Sequence, residues 1–285
     1  MNPFEYDYLC RMLKERSGLV LAPEKQYLVD NRLAPVARRH GCATISELIQ
    51  RTRGPDTESL RIEITEAMMN NESFFFRDKI PFDLVREVAI PELLQKRARS
   101  RRIRIWSAGC STGQEPYSLA MLLQEMRLPS GWQVDIVASD IAGDALDRAK
   151  AGLYTQFEVQ RGLPIQLLVK HFEQINEQWR IGEKIRGMVQ FRRINLLNDF
   201  SIMGAFDLVL LRNVLIYFDH ATKLDVLARV RAVTAADGYL VLGAAETMVG
   251  LGDAFAPMPE QRGLYRPKLR VDAVLKPVTS GARVA

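Results

Sequence analysis

Apolar residues recur at helical spacing through the first seventy positions of the chain. Phe4, Tyr8, Met12 and Leu13 share a face until Gly18 ends the run, and Tyr27, Leu28, Asn31 and the stretch Leu33 to Val36 mark a second helix. Thr44-Ile45-Ser46-Glu47 has capping-box spacing, so the Thr44 hydroxyl and the Glu47 carboxylate answer each other's backbone amides at a third helix start, and Gly54-Pro55 ends that helix. Leu60, Ile64 and Met68 repeat every fourth residue on a fourth helix, capped near Asp56 or Thr57. Residues 1–70 therefore read as a small helical bundle.

From about residue 102 the pattern changes to short β-branched runs separated by helical stretches. Ile103 to Trp106, Val134 to Val137, Val189 to Phe191, Leu208 to Leu211 and Tyr239 to Leu242 read as strands, several of them apolar enough to be covered on both faces. Helices are expected near 115–127, 142–150 and 220–234, the alternation of a doubly wound α/β domain over 102–267. Between 151 and 195 the alternation breaks. A helix near 163–172 precedes Gln178-Trp179-Arg180-Ile181, the turn Gly182-Glu183-Lys184 and another β-like run, which predicts an antiparallel hairpin insertion at about 175–192. Residues 71–101 are expected to be a linker, and 268–285 a tail without apolar periodicity.

Composition narrows the class. Of 285 residues 47% are hydrophobic and 26% charged, with 18 Gly and 13 Pro, which excludes fibrous and disordered chains. The three cysteines, Cys10, Cys42 and Cys110, are too few for a disulfide framework, and no Cys/His spacing suggests a metal. No apolar run approaches the roughly 20 residues of a membrane span, and the N-terminus carries acids where a secretion signal carries Lys or Arg. A cytoplasmic location is the expectation. The net charge of +5 is mild. The basic stretch Lys96-Arg97-Arg99-Arg101-Arg102-Arg104 lacks interleaved aromatics and reads as solvated linker, so no nucleic-acid partner is expected.

Candidate chemistry gathers at strand ends. Ile103 to Glu115 is a strand, a turn holding Gly109 and Gly113, and a helix start, an arrangement that brings a nucleoside close to backbone at a sheet edge. A carboxylate at Glu115, in the first helical turn, repels phosphate and favours a ligand with adenosine and a positive group, as S-adenosylmethionine has. Asp140 ends the next strand, where an acid accepts ribose hydroxyls or caps a helix. Arg212-Asn213 ends the strand begun at Phe206 and faces the same crevice, or Arg212 pairs with a surface acid. In Asn70-Asn71-Glu72-Ser73-Phe74-Phe75-Phe76-Arg77-Asp78, three adjacent phenylalanines cannot share one face, so they either glue two domains or keep a site dry.

These segments, together with Asn195-Leu196-Leu197, Arg212-Asn-Val-Leu-Ile-Tyr-Phe218 and Gly238-Tyr-Leu-Val-Leu-Gly243, occur in the order seen in CheR-type chemotaxis receptor methyltransferases, which the chain resembles over about residues 4–267. The resemblance implies an N-terminal all-helical domain, a Rossmann-like α/β domain that binds S-adenosylmethionine, and a small antiparallel β-subdomain. It implies methyl transfer to glutamates in the cytoplasmic region of methyl-accepting chemotaxis receptors, with S-adenosylhomocysteine as product. By motif position, cofactor contacts fall on Asn71, Ser73, Arg77, Glu115, Asp140, Asn195, Leu196, Asn213 and Val214, while Arg77 and Tyr217 match the polar residues nearest the methyl group. Ser73 replaces a more usual threonine, Glu72 is an acid only part of the family has, and Gly243-Ala244-Ala245-Glu246 replaces a typical Gly-His-Ser-Glu. A monomer is expected. The competing readings are a methyltransferase for RNA or a small molecule, and a non-catalytic cofactor-binding adaptor. Arg32, Arg38, Arg39, Arg51 and Arg53 stand against the single acid Glu47 between residues 32 and 53, so the face carrying Arg32 and Arg39, outside the expected pocket, is a candidate receptor-docking surface.

Overall fold

A computed structural model describes residues 1–268 of the chain, so the expected tail lies outside the described residues except for Lys268. Four helices form the N-terminal bundle: α1 (Pro3–Ser17), α2 (Gln26–Arg39), α3 (Ile45–Arg51) and α4 (Glu58–Met68). Leu9, Leu13, Val29, Leu33, Leu48, Ile49 and Ile64 are its fully buried centre. The inward face of α1 differs from the expected one. Glu5, Leu9 and Leu13 point inward at four-residue spacing, and Phe4 is left 83% exposed. Glu5 holds that inward position because its carboxylate accepts hydrogen bonds from Ser46 Oγ and Gln50 Nε2 on α3. Thr44 caps α3 as expected, but Glu47 reaches the amide of Ala43 rather than that of Thr44, so only half the capping box forms.

The expected linker is largely helical. α5 (Ile80–Leu84) continues through a π-helical turn, Val85–Ala89, into α6 (Ile90–Lys96). Phe82, Val85, Ala89 and Leu93 recur at three- and four-residue spacing and bury against the sheet, a helical period that Pro81 and Pro91 interrupt to the eye but not in space.

Then follow β1 (Arg102–Ala108), α7 (Gln114–Met126), β2 (Gln133–Asp140), α8 (Gly143–Ala151), β3 (Leu153–Thr155), α9 (Gln156–Gln160), α10 (Ile165–His171), β4 (Phe172–Ile175), β5 (Gln178–Ile181), α11 (Glu183–Arg186), β6 (Val189–Arg193), β7 (Phe206–Leu211), α12 (His220–Ala232), β8 (Thr234–Leu242), β9 (Phe255–Pro257) and β10 (Leu264–Pro267). The main sheet runs β6-β2-β1-β7-β8-β10-β9, parallel from β6 to β8, with β10 antiparallel to both β8 and β9. β9 and β10 are too short and too Pro-bounded to show a two-residue period in sequence. Strand order reverses between β1 and β7, and the crevice outside their C-terminal ends is where such sheets bind ligands.

The insertion is real but differently bounded. β5 pairs with β4 and β3 in a separate three-stranded antiparallel sheet of order β3-β5-β4, whereas β6 leaves it to pair in parallel with β2. The turn of the hairpin is Asn176-Glu177, not Gly182-Glu183-Lys184, which starts α11. Asn176 takes the left-handed conformation (φ 54°) that a two-residue hairpin turn requires. Most of the basic stretch is bound within the chain: Arg97 pairs with Asp207 and Asp237, Arg102 with Asp135, and Arg104 donates to the carbonyls of Met203 and Ala205. No helix among the described residues is long and apolar enough to cross a membrane.

Candidate active site

The bundle sits over the C-terminal ends of β1, β2 and β7, and a cavity of about 440 Å³ lies between them. All ten residues singled out as site candidates line it: Asn71, Ser73, Arg77, Glu115, Asp140, Asn195, Leu196, Asn213, Val214 and Tyr217. They come from five separate stretches of chain, brought together by the switch in strand order and by the segment leaving α4.

The turn after β1 is shaped by two glycines. Gly109 (φ 76°) has Val214 Cγ2 where a Cβ would sit, 2.4 Å away, and at Gly113 (φ 94°) a Cβ would meet that of Ala149 at 2.9 Å. Only glycine allows both the left-handed backbone and the close approach. Asp140 holds this turn against β2: its Oδ2 accepts from the Ser111 amide at 2.8 Å and its Oδ1 from the Ala142 amide at 3.0 Å. Each carboxylate oxygen keeps a lone pair for a further donor. Burial pushes the Asp140 carboxyl up, while the amides of Ala142, Ser111 and Ile141 pull it down. The Ser111 hydroxyl in turn donates to the Asn71 carbonyl, tying the turn to the interdomain segment.

Glu115 is not a bare charge. It accepts from Ser107 Oγ at 2.7 Å and from Arg212 Nη1 at 2.7 Å. Arg212, its side chain only 1% exposed, also donates to the Arg77 carbonyl and the Asp78 carboxylate. Both open readings of Arg212 hold in part: it faces the crevice and pairs with the part-exposed Asp78 as well as with the more buried Glu115. Asn195 gives its side chain mostly to architecture: Nδ2 donates to the Arg16 carbonyl at the end of α1, and Oδ1 accepts from the Leu197 amide. Tyr217 accepts from Asn70 Nδ2 at 2.8 Å, which leaves its own proton free to donate. Arg77 donates to the Glu72 carbonyl and lies over the Phe74 ring.

The phenylalanines divide. Phe75 is fully buried against Tyr154 and Phe172, Phe76 packs on Phe82, and the Phe74 ring is met by the guanidinium groups of both Arg77 and Arg161. Phe75 and Phe76 thus join the core of the α/β domain and its insertion, and none of the three belongs to the bundle's hydrophobic cluster among the described residues, so they do not pack the bundle on the sheet. The apolar lining of the cavity comes instead from Leu19, Val20, Leu196, Val214 and Ile216. Arg32, expected outside the pocket, lines it and donates to the Met68 carbonyl, while Arg39 is paired with Glu63, so the two do not form one free basic face.

Comparison with known sequences decides the family. The all-alpha domain model of CheR methyltransferases matches residues 5–69, and the CheR methyltransferase SAM-binding domain model matches residues 71–264. This chain belongs to the CheR methyltransferase family. Chemotaxis protein methyltransferase 1 of Pseudomonas aeruginosa is 39% identical over 90% of this chain and 95% of its own length. The chemotaxis protein methyltransferase Cher2 of Pseudomonas putida is 38% identical over 85% of this chain and 90% of its own, and chemotaxis protein methyltransferase 1 of Vibrio cholerae 38% over 88% and 92%.

S-adenosylmethionine is the cofactor of this CheR domain, and the cavity fits it: the volume is within the usual range for small-molecule sites, an acid with free lone pairs closes β2, and the wall between is apolar. Two side chains of this CheR site were not among its sequence-derived candidates. Arg212 reads in the sequence only as a residue that faces the crevice or pairs with a surface acid. Glu246 was seen only as the end of a variant motif, yet its carboxylate accepts four backbone amides: Asn213 at 2.7 Å and Gly243 at 2.8 Å on Oε2, Val214 at 3.0 Å and Leu215 at 2.8 Å on Oε1. An acid three residues after a glycine at a strand's end was the available signal.

Proposed function

We propose that this chain transfers a methyl group from S-adenosylmethionine to glutamate side-chain carboxylates in the cytoplasmic region of chemotaxis receptors, forming methyl esters. The observation that carries the reading is the charge pattern of the cavity. Its three acids are engaged, Glu115 by Arg212, Asp140 by backbone amides and Glu72 by Arg161. Among the described residues Arg32 and Arg77 hydrogen-bond only to main-chain carbonyls, and Tyr217 retains a donor. Such a lining suits an incoming carboxylate. The relatives named as chemotaxis protein methyltransferases support a substrate in chemotaxis, while the carboxylate acceptor rests on the lining.

S-adenosylmethionine, when bound, supplies an electrophilic methyl on a sulfonium. Asn71, Ser73, Arg77, Glu115, Asp140, Asn195, Leu196, Asn213 and Val214 are assigned to holding it, Asp140 at the ribose and Glu115 toward the amino end. A glutamate with a reference pKa near 4.3 is ionised at neutral pH, so attack needs no general base. The acceptor's negative charge disappears as the bond forms. A bidentate clamp from Arg77 would stabilise the starting state more than the transition state and slow the step, so Arg77 is assigned to orienting one oxygen, and Tyr217 to a single neutral hydrogen bond. Alignment of oxygen, methyl and sulfur then supplies most of the acceleration.

The test is transfer of labelled methyl from S-adenosylmethionine to receptor-containing membranes, followed by mild base. Label on the receptor band that is released as methanol supports a carboxyl ester. Base-stable label, or none on receptors, refutes it.

A further inference from the structure

Glu246 lies outside the cavity lining, yet it organises part of that lining. The chain leaves β7 through Arg212 and turns at Asn213, which has φ 58°, a left-handed backbone that a non-glycine residue adopts only with support. The amides of Asn213, Val214 and Leu215 all point to one place, and a part-buried cluster of amides turned away from bulk water needs an acceptor. Glu246 is that acceptor for all three, and its fourth hydrogen bond, from Gly243, fixes the carboxylate to the end of β8. The turn it sets has three consequences for the cavity. Val214 is pressed against Gly109 and forms wall. Tyr217 is delivered to Asn70, and its carbonyl accepts from the Val20 amide. Phe218 packs under Gly18. Cofactor wall, candidate catalytic hydroxyl and bundle closure thus hang on one carboxylate that touches none of the reacting groups.

We infer that Glu246 is a positioning residue for methyl transfer, acting through the 213–217 turn on Val214 at the cofactor wall and on the Tyr217 hydroxyl. The rate part of this inference rests on the proposed receptor methylation, whereas the cofactor part does not. A carboxylate accepts all four amides, but an amide side chain presents a donor to at least two of them, so Glu246→Gln keeps the shape and breaks the arrangement.

The experiment is a double-mutant cycle with Tyr217→Phe, read as kcat and KM on receptor membranes, with S-adenosylhomocysteine affinity measured by calorimetry as an acceptor-independent arm. E246Q should weaken S-adenosylhomocysteine about tenfold and lower kcat about tenfold, while in the Y217F background its further effect on kcat should shrink to under about twofold. If E246Q does not fold, Glu246→Asp, which keeps the charge but withdraws it by one methylene, is run through the same cycle with the same expectation. An unchanged S-adenosylhomocysteine affinity, or an equal loss of kcat with and without the Tyr217 hydroxyl, overturns the inference. Wild-type protein that binds the cofactor but leaves receptors unlabelled refutes the proposed acceptor instead, and the calorimetric arm then decides on Glu246 by itself.

Discussion

The two walls of the cavity are built on opposite principles. On the sheet side, the charged groups and the turn amides are paired within the fold: Asp140 with the turn amides, Glu115 with Ser107 and Arg212, the 213–215 amides with Glu246. On the bundle side, Lys25, Arg32 and Val20 line the cavity from more exposed positions, and Arg32 donates to the Met68 carbonyl. The difference follows from what each wall meets. A cofactor of fixed shape rewards groups locked in advance, since ordering them on binding costs free energy. A segment of another protein arrives from solution, and exposed charge attracts it without demanding one geometry.

The sharpest way to break this comparison is at Arg212. If the sheet wall is a locked element of the fold, Arg212→Met should cost about 3–5 kcal/mol of stability, because it leaves Glu115 buried without its counter-charge. Urea unfolding measures it. Arg212→Met combined with Glu115→Gln should recover much of the loss, since no charge is then stranded. A single mutant within 1 kcal/mol of wild type, by the same reasoning, would show that the pair is not what stiffens this wall.

Next in size is Asp140→Ala. It removes an acceptor assigned to two ribose hydroxyls, and hydrogen bonds to charged groups are worth about 1.5–3 kcal/mol, so cofactor affinity should fall roughly 10- to 150-fold. Calorimetry on folded mutant checks it. Affinity that stays at the wild-type value would take Asp140 out of the site and leave it as the support of the Gly109–Gly113 turn alone.

How far the sequence led differs between the two walls for a physical reason. On the sheet side the fold class, the order of the parallel strands along the chain and the carboxylates at their ends were legible, because apolar strands and turn glycines leave local signals. The hairpin was placed too late, because β5 and β6 are equally β-like and only pairing, a long-range matter, sends one to the small sheet and the other to β2. The helix at 80–96 was missed where Pro81 and Pro91 broke its apparent period. On the bundle side, Arg32 and Arg39 share a helix face by spacing, but nothing local shows that Glu63 takes Arg39 while Arg32 turns to the Met68 carbonyl. Glu246 leaves a weak local signal, an acid three residues after a glycine at a strand's end, but its partners are not legible for the same reason: its four amides lie on two segments some thirty residues apart in sequence.

Tyr217 joins the walls, and its hydroxyl tests whether they divide labour as supposed. Tyr217→Phe removes one neutral hydrogen bond, worth about 1 kcal/mol, so turnover should drop roughly fivefold while cofactor affinity stays within about twofold. Stopped-assay kinetics beside calorimetry gives both numbers. Equal losses in the two would mean that the hydroxyl serves the cofactor, and the assignment of catalysis to the junction would fail.

The smallest effect is expected on the bundle wall, and there the contrast between Arg32 and Arg39 is the instrument. Both lie on α2, but Arg32 lines the cavity and meets no carboxylate among the described residues, whereas Arg39 is already neutralised by Glu63. Exposed charge pairs contribute little each, so Arg32→Gln should slow methylation of receptor membranes by roughly two- to fivefold at low ionic strength, and the difference from wild type should close as salt is raised. Arg39→Gln should change the rate by less than about twofold at any salt, because its field is cancelled within the chain. Unlike a substitution on the sheet wall, neither should alter stability beyond the small range of surface changes. If both mutants slow the reaction equally and with the same salt dependence, the acceptor reads the whole face of α2 and not the cavity mouth. If neither does, the open wall is not where the receptor is recognised, and the free edges of the β3-β5-β4 sheet become the surface to mutate.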